Sequence, residues 1–218
     1  MKKNLVLFTL FILPIVAYLF FASGINSFAK LPTITQNIPD LKNLDSKTNV
    51  TLQNKITILG FTGDEVLEKK GRFFNLFEEI YKKNREFKDF QIVMVVPIEK
   101  QADVEKVKVD LHKLGNPSGW NFVFATKNSI KEYYSRLKLL GNLNQTAGSN
   151  FVFIVDKNRN LRGRKGKSEK GKEEYKEGYN TTLASELHNE MTDDVKIILA
   201  EYRLALKKNN ADRRKHGL

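Results

Sequence analysis

The chain has 218 residues, 41% of them hydrophobic and 28% charged, enough for one folded domain with appendages. Its formal net charge is +12 and it has no cysteine, so disulfides, thiolate chemistry, cysteine metal sites and cysteine lipidation are excluded. In a soluble protein the charge would point to nucleic acid. The N-terminus directs it elsewhere.

Residues Leu5 to Ala22, "LVLFTLFILPIVAYLFFA", carry no charge and follow Lys2 and Lys3. Eighteen helical residues span roughly 27 Å, close to the hydrocarbon thickness of a bilayer. The segment reads as a membrane anchor, residues 1–23, inserted N-terminus inward by the positive-inside rule. The chain that follows is expected outside the cytoplasm. Ser27-Phe28-Ala29 also has the form of a signal-cleavage site. On this placement nucleic acid is not a partner. The basic charge would meet anionic lipid or an acidic protein surface, or simply stay hydrated. Richness in Lys, Asn and Ile suits a bacterial protein, its C-terminal part on the periplasmic side of the inner membrane.

Residues 24–50 are polar, with Pro32 and Pro39, and read as a tether leading to a short strand. The domain proper is expected over 51–190. "ITILGF" (56–61) is a β-branched apolar run, the pattern of a buried strand. From Asp64 to Lys83 the apolar positions follow helical spacing, with Gly71 as a point of interruption. "FQIVMVVP" (90–97) is a second core strand and 101–114 a helix with Val104, Val107, Leu111 and Leu114 on one face. "WNFVFA" (120–125) reads as a third strand, 129–140 as a helix capped by Asn128 or Ser129, and "NFVFIVD" (150–156) as a fourth strand before a turn into a short last one. The alternation predicts a mixed α/β sheet with flanking helices. Residues 162–178, "RGRKGKSEKGKEEYKEG", read as a solvated loop or a basic docking loop. Thr182 to Asn209 reads as helix in two segments, the second starting at Thr192-Asp193-Asp194. Residues 191–218 form the C-terminal helix and basic tail.

Catalytic signatures are scarce. There is no phosphate-binding glycine loop and no paired-histidine helix, and His112, His188 and His216 are isolated. Met94 and Met191 read as core filler. No catalytic residue, metal ligand or cofactor is expected.

The order "ITILGFTG", helix, "FQIVMVVP" and later "SNFVFIVDKNRNLRGR" resembles the thioredoxin-like fold, and within it the Sco/SenC family of copper-handling assembly factors for cytochrome c oxidase. The resemblance spans about residues 40–190 and implies a thioredoxin-like domain connected with respiratory oxidase assembly. In that family a GFT strand end precedes a two-cysteine turn, and a histidine precedes a later Ser and hydrophobic strand. Counting from Gly60-Phe61-Thr62, Asp64 and Glu68 stand where the cysteines would be, and Gly148 where the histidine would be. All three copper ligands are missing, so neither copper binding nor thiol exchange transfers to this chain.

Asp64 and Glu68 on one helix face, with Glu65 beside them, admit three roles. They could cap the helix together with Thr62 and favour its dipole, hold a hard cation, or contact a partner protein. The reading is therefore a redox-inactive, non-enzymatic binding or scaffold module, with Thr62, Asp64, Glu65 and Glu68 as its contact residues. The alternatives are a structural or lipid-surface protein working through the basic loop and C-terminal helix, or an enzyme using the carboxylates.

Overall fold

The computed structural model describes residues 8–16, 18, 30–44, 49–167 and 173–215. Helix α1 (8–16) is exposed along its length. The remainder of the expected anchor lies outside the described residues. Among the described residues no helix is long and apolar enough to cross a membrane.

The domain is built on seven strands: β1 (Thr33–Thr35), β2 (Ile56–Thr62), β3 (Phe90–Pro97), β4 (Trp120–Ala125), β5 (Gly148–Val155), β6 (Leu161–Arg162) and, further on, Tyr179–Asn180. Their order is β1-β6-β5-β2-β3-β4, with Tyr179–Asn180 also paired to β5. β2, β3 and β4 run parallel, whereas β5 is antiparallel to β2 and β6 antiparallel to β5. Every residue of β2 and β3 is buried, which explains their unbroken apolar runs: both sheet faces are covered.

On one face pack α2 (Gly71–Leu76), which continues through a π-helical turn (Phe77–Tyr81) into Lys82–Asn84, and α3 (Gln101–Leu114). Phe73, Phe77, Tyr81 and Trp120 form an aromatic cluster there, Phe77 stacking on Trp120 at 6.1 Å. The C-terminal helix shares this face. On the other face, α4 (Lys127–Ser135) packs with Ile38, Leu41, Leu44 and Leu52.

Part of the segment read as a tether is thus strand and core. β1 pairs with β6, and Ile38, Leu41 and Leu44 are buried because β5 and α4 leave an apolar surface that only the preceding chain can cover. Asp40 fixes this segment. Its carboxylate accepts from the Leu41 and Leu52 N–H groups, each at 2.8 Å, and from the Thr51 hydroxyl at 2.5 Å. Burial pushes the carboxyl up, but these bonds and the Arg159 charge outweigh it and hold the pKa below its ordinary value. A depressed carboxylate stabilises the folded state above its unfolded pKa, and that contribution fades as pH falls through the folded value. Asp40→Asn is therefore expected to cost about 1–2 kcal/mol at pH 7 and much less at pH 3. Urea unfolding at the two pH values checks this.

Three local expectations shift. The helix expected at 129–140 is α4, and Thr126 caps it, its Oγ1 accepting from Ser129 N–H at 3.2 Å. Residues 162–178 are not a plain loop: β7 (Arg164–Lys167) pairs with β8 (Glu173–Lys176) as a hairpin, and β9 (Tyr179–Asn180) then joins the main sheet. Thr192 does not start a helix. The short turn Ala184–Glu186 and a π-helical turn, Leu187–Met191, run without a break into α5 (Thr192–Lys215), and the Thr192 hydroxyl donates back to the Leu187 carbonyl at 3.0 Å.

Ion pairs fasten hairpin and C-terminal helix together. Arg164 meets Asp194 at 3.1 Å, and Lys176 meets Glu186 and Glu190 at 2.8 Å each. The Tyr179 hydroxyl donates to the same Asp194 at 2.6 Å.

Candidate functional site: the strand-to-helix turn

β2 ends at Thr62, opposite Gly148 of β5, after a register irregularity between Gly60 and Thr62. Gly63 follows with φ +64°, a left-handed conformation suited to glycine. Two backbones meet here without intervening side chains. A Cβ at Gly148 would lie 2.9 Å from Gly63 Cα, Gly63 N and Thr62 O, and one at Gly63 would lie 2.9 Å from Gly148 Cα. The loop before β5 is wound around Asn144, whose Oδ1 accepts from Gly148 N–H at 2.7 Å and from the Thr146 hydroxyl at 2.8 Å.

Residues 66–70 form turns, not helix, and α2 begins at Gly71 with no side-chain cap. The expected shared helical face for Asp64 and Glu68 is therefore absent, and neither Thr62 nor Asp64 caps the helix. Thr62 is buried, its hydroxyl donating to the Gly63 carbonyl at 3.0 Å. Asp64 instead accepts from Lys127 Nζ of α4 at 2.6 Å, a bond that raises the Lys127 pKa; its Oδ1 is buried with no partner. Glu65 pairs with Lys69 at 2.5 Å. Glu68 is exposed and makes no ion pair among the described residues. Asp64 and Glu65 turn to different lysines and Glu68 shares neither, which removes the reason to place a cation between them. Among the described residues no three His, Cys, Asp or Glu side chains cluster as a metal site would require.

What sequence reading missed is Arg72. Its side chain is only 5% exposed, yet no carboxylate pairs with it among the described residues. Nη2 donates to the Thr62 carbonyl at 2.6 Å and Nη1 to the Ser149 carbonyl at 3.3 Å, while Nε has no partner. The guanidinium lies 5.1 Å from the Phe73 ring centre. Burial lowers its pKa to about 10, with Glu65 opposing the shift. A fixed cation thus ties the end of β2 to the start of β5. The one available signal was a basic residue at the head of an apolar stretch, "GRFF", which helical spacing alone assigns to solvent.

The mixed sheet, its flanking helices and this strand-to-helix turn define a thioredoxin-like fold. Among solved structures the fold is similar to that of BsSco, a member of the Sco family of cytochrome c oxidase assembly proteins: 12% identity over 77% of this chain and 94% of that one, TM-score 0.51. A SCO1/SenC family lipoprotein from Bacillus anthracis matches at 13% identity over 79% of this chain and 96% of that one, TM-score 0.46. A thiol:disulfide interchange protein from Bacteroides sp. matches at 19% over 60% and 79%, TM-score 0.42. Neither a protein-family profile nor a curated protein sequence matches the chain.

The copper ligands implied by the resemblance do not fit this site. The chain has no cysteine, and the position of the histidine is a glycine pressed against backbone.

Proposed function

We propose that the protein is a membrane-anchored, extracytoplasmic thioredoxin-like module that binds a partner instead of performing redox or copper chemistry, and that it serves the assembly of a respiratory oxidase. The observation that carries this reading is the Arg72 clamp. Where a thioredoxin-like fold offers a reactive turn, this chain has two glycines in backbone contact and a buried guanidinium holding the strands at fixed spacing. Above it Glu68 is exposed, while Asp64 and Glu65 are half-buried and paired with Lys127 and Lys69, with buried Thr62 below them. Such a surface suits recognition, and it lacks a nucleophile or acid–base pair for catalysis. The link to cytochrome c oxidase rests on fold likeness to BsSco, an analogy. Anchoring rests on the uncharged segment Leu5 to Ala22, of which 8–16 is an exposed apolar helix.

The absence of native cysteine makes a direct test simple. A photo-crosslinker placed at Glu68 in native membranes is expected to capture an oxidase subunit, whereas one at exposed Lys131 on α4 is not. A single Lys131→Cys variant should react with a membrane-impermeant maleimide added from outside. Loss of the gene without effect on oxidase content, or capture of no oxidase subunit from Glu68, would remove the assembly role. Labelling only after the membrane is broken would remove the topology.

A further inference from the structure

Lys30 is exposed and Leu31 buried, and at Leu31 the chain is fastened to the C-terminal helix. The Leu31 N–H donates to Glu201 Oε1 at 3.3 Å, and its carbonyl accepts from Arg162 Nε at 3.1 Å and Nη2 at 2.5 Å. The same guanidinium donates to both Glu201 oxygens and to Asp156 Oδ2, each at 3.1 Å. Arg162 and Asp156 are buried as well, so the chain enters the domain through a fixed joint to α5.

Beyond that joint α5 leaves the domain. Tyr202 still packs on the core, whereas Arg203, Leu204 and Ala205 are all exposed. Successive helical residues point about 100° apart, so three exposed in a row free most of the circumference. The helix nevertheless continues to Lys215. Its charge changes at the same place. Thr192 to Tyr202 holds Asp193, Asp194 and Glu201 against Lys196, whereas Arg203, Lys207, Lys208, Arg213, Arg214 and Lys215 follow with Asp212 as their only acid. The helix dipole favours basic residues in the last turn, but Arg203, Lys207 and Lys208 precede that turn.

The joint limits where this charge can go. Leu31 stands nine positions after Ala22, the end of the uncharged segment, and such a length of chain spans at most about 30 Å. Lys207 to Lys215 lies about 9–21 Å along the helix from Glu201. A basic helix end is thus tethered within reach of a bilayer surface, where anionic headgroups attract Lys and Arg. Tyr202 and Arg203 sit beside Ile56 and Asp89, at the start of β2. The strand-to-helix turn is at the other end of that strand, about 23 Å away.

We propose that the end of α5, Arg203 to Lys215, lies on anionic lipid headgroups of the membrane that holds the N-terminal segment. The domain is then held at two points, and the strand-to-helix turn faces away from the lipid. This inference rests on the anchoring part of the reading above and not on the assembly role.

The test uses the full chain reconstituted in phosphatidylcholine vesicles with or without phosphatidylglycerol, containing a lipid with a nitroxide on its headgroup. A fluorescent dye is attached at Lys208→Cys in one sample and at Glu68→Cys in another. With phosphatidylglycerol present, the nitroxide is expected to quench the dye at 208 at least about threefold more than at 68. The excess should vanish in pure phosphatidylcholine and in 1 M salt, where the Debye length is about 3 Å. It should also vanish in Lys207→Gln/Arg213→Gln/Arg214→Gln/Lys215→Gln, whose positions lie past the packed part of α5; the salt dependence tests the same charge without substitution. Equal quenching at 208 and 68, in chains that stay in the vesicles through a carbonate wash, overturns this proposal and leaves the anchor standing. Chains stripped by carbonate remove the anchor, and the proposal with it. Excess quenching that needs no phosphatidylglycerol overturns the role of charge. Capture of an acidic protein by a crosslinker at Lys208 in native membranes, without phosphatidylglycerol-dependent quenching, assigns the basic end to a protein surface instead.

Discussion

Replacing Arg72 by lysine is expected to destabilise the domain more than replacing it by methionine. Both variants lose the bidentate reach to the Thr62 and Ser149 carbonyls, and each buried acceptor left unpaired costs about 1–3 kcal/mol. Methionine also removes a buried charge that no carboxylate neutralises, which relieves desolvation and offsets part of the loss. Lysine keeps the charge, offers a single ammonium in place of a planar fork, and so retains the penalty without the geometry. Expected losses are ~3–4 kcal/mol for Arg72→Lys and ~1–2 kcal/mol for Arg72→Met, read from urea midpoints at constant slope. Burial sets the pH dependence. The folded pKa is lowered to about 10, well below the ordinary guanidinium value, so between the two the unfolded chain binds more protons and stability rises with pH. Wild type should therefore gain on Arg72→Met between pH 9 and pH 11, with the titration of other groups common to both proteins. A methionine variant more stable than wild type at pH 7 would show that the carbonyl clamp contributes less than burying the charge costs.

Substitution at Gly148 is expected to be severe for a different reason. A methyl group there meets backbone atoms of Thr62 and Gly63 at 2.9 Å, and backbone cannot rotate away as a side chain can. Gly148→Ala should cost ~1–3 kcal/mol by overpacking, a fall in melting temperature of roughly 2–12 °C for a domain of this size. Gly148→His should lose the native fold at ordinary temperature. Restoring the ligands suggested by the family resemblance, with Asp64→Cys and Glu68→Cys beside Gly148→His, is then expected to give a chain that does not refold around copper, seen as an unchanged thermal transition when Cu(I) is added. A raised melting temperature in the triple variant would show that the strand ends separate more easily than their close approach implies.

Some parts of this structure were legible in the sequence because the relevant signal is local. Continuous apolar runs identify β2 and β3, since strands covered on both faces carry no alternation, and the run of β5 is buried in the same way from Val152 onward. The apolar positions of 101–114 repeat at helical spacing and give α3 its bounds. The same spacing misled at Asp64 to Gly71. Buried Val66 and the following apolar residues mimic a helix start, but Arg72 must reach back to Thr62 and Ser149, and the chain enters the helix only at Gly71. The hairpin over 164–176 was hidden for the opposite reason. Its strands are held by ion pairs to α5 and to the π-helical turn before it, so they carry charge where strand patterns expect apolar residues.

The sequence by itself determined what the protein cannot do with sulfur: with no cysteine, no arrangement of the chain produces a thiolate, a disulfide or a cysteine-bound metal. It also determined the order of β2 to β5 and of the helices between them, because hydrophobic periodicity is a property of neighbours along the chain. Only the tertiary structure decided what stands at the strand-to-helix turn. Gly63 and Gly148 are 85 positions apart, and Thr62 and Ser149 are bridged by a guanidinium from a third element. Long-range backbone contact and the burial of a cation depend on how the sheet brings β2 and β5 together, and no window of sequence contains that information.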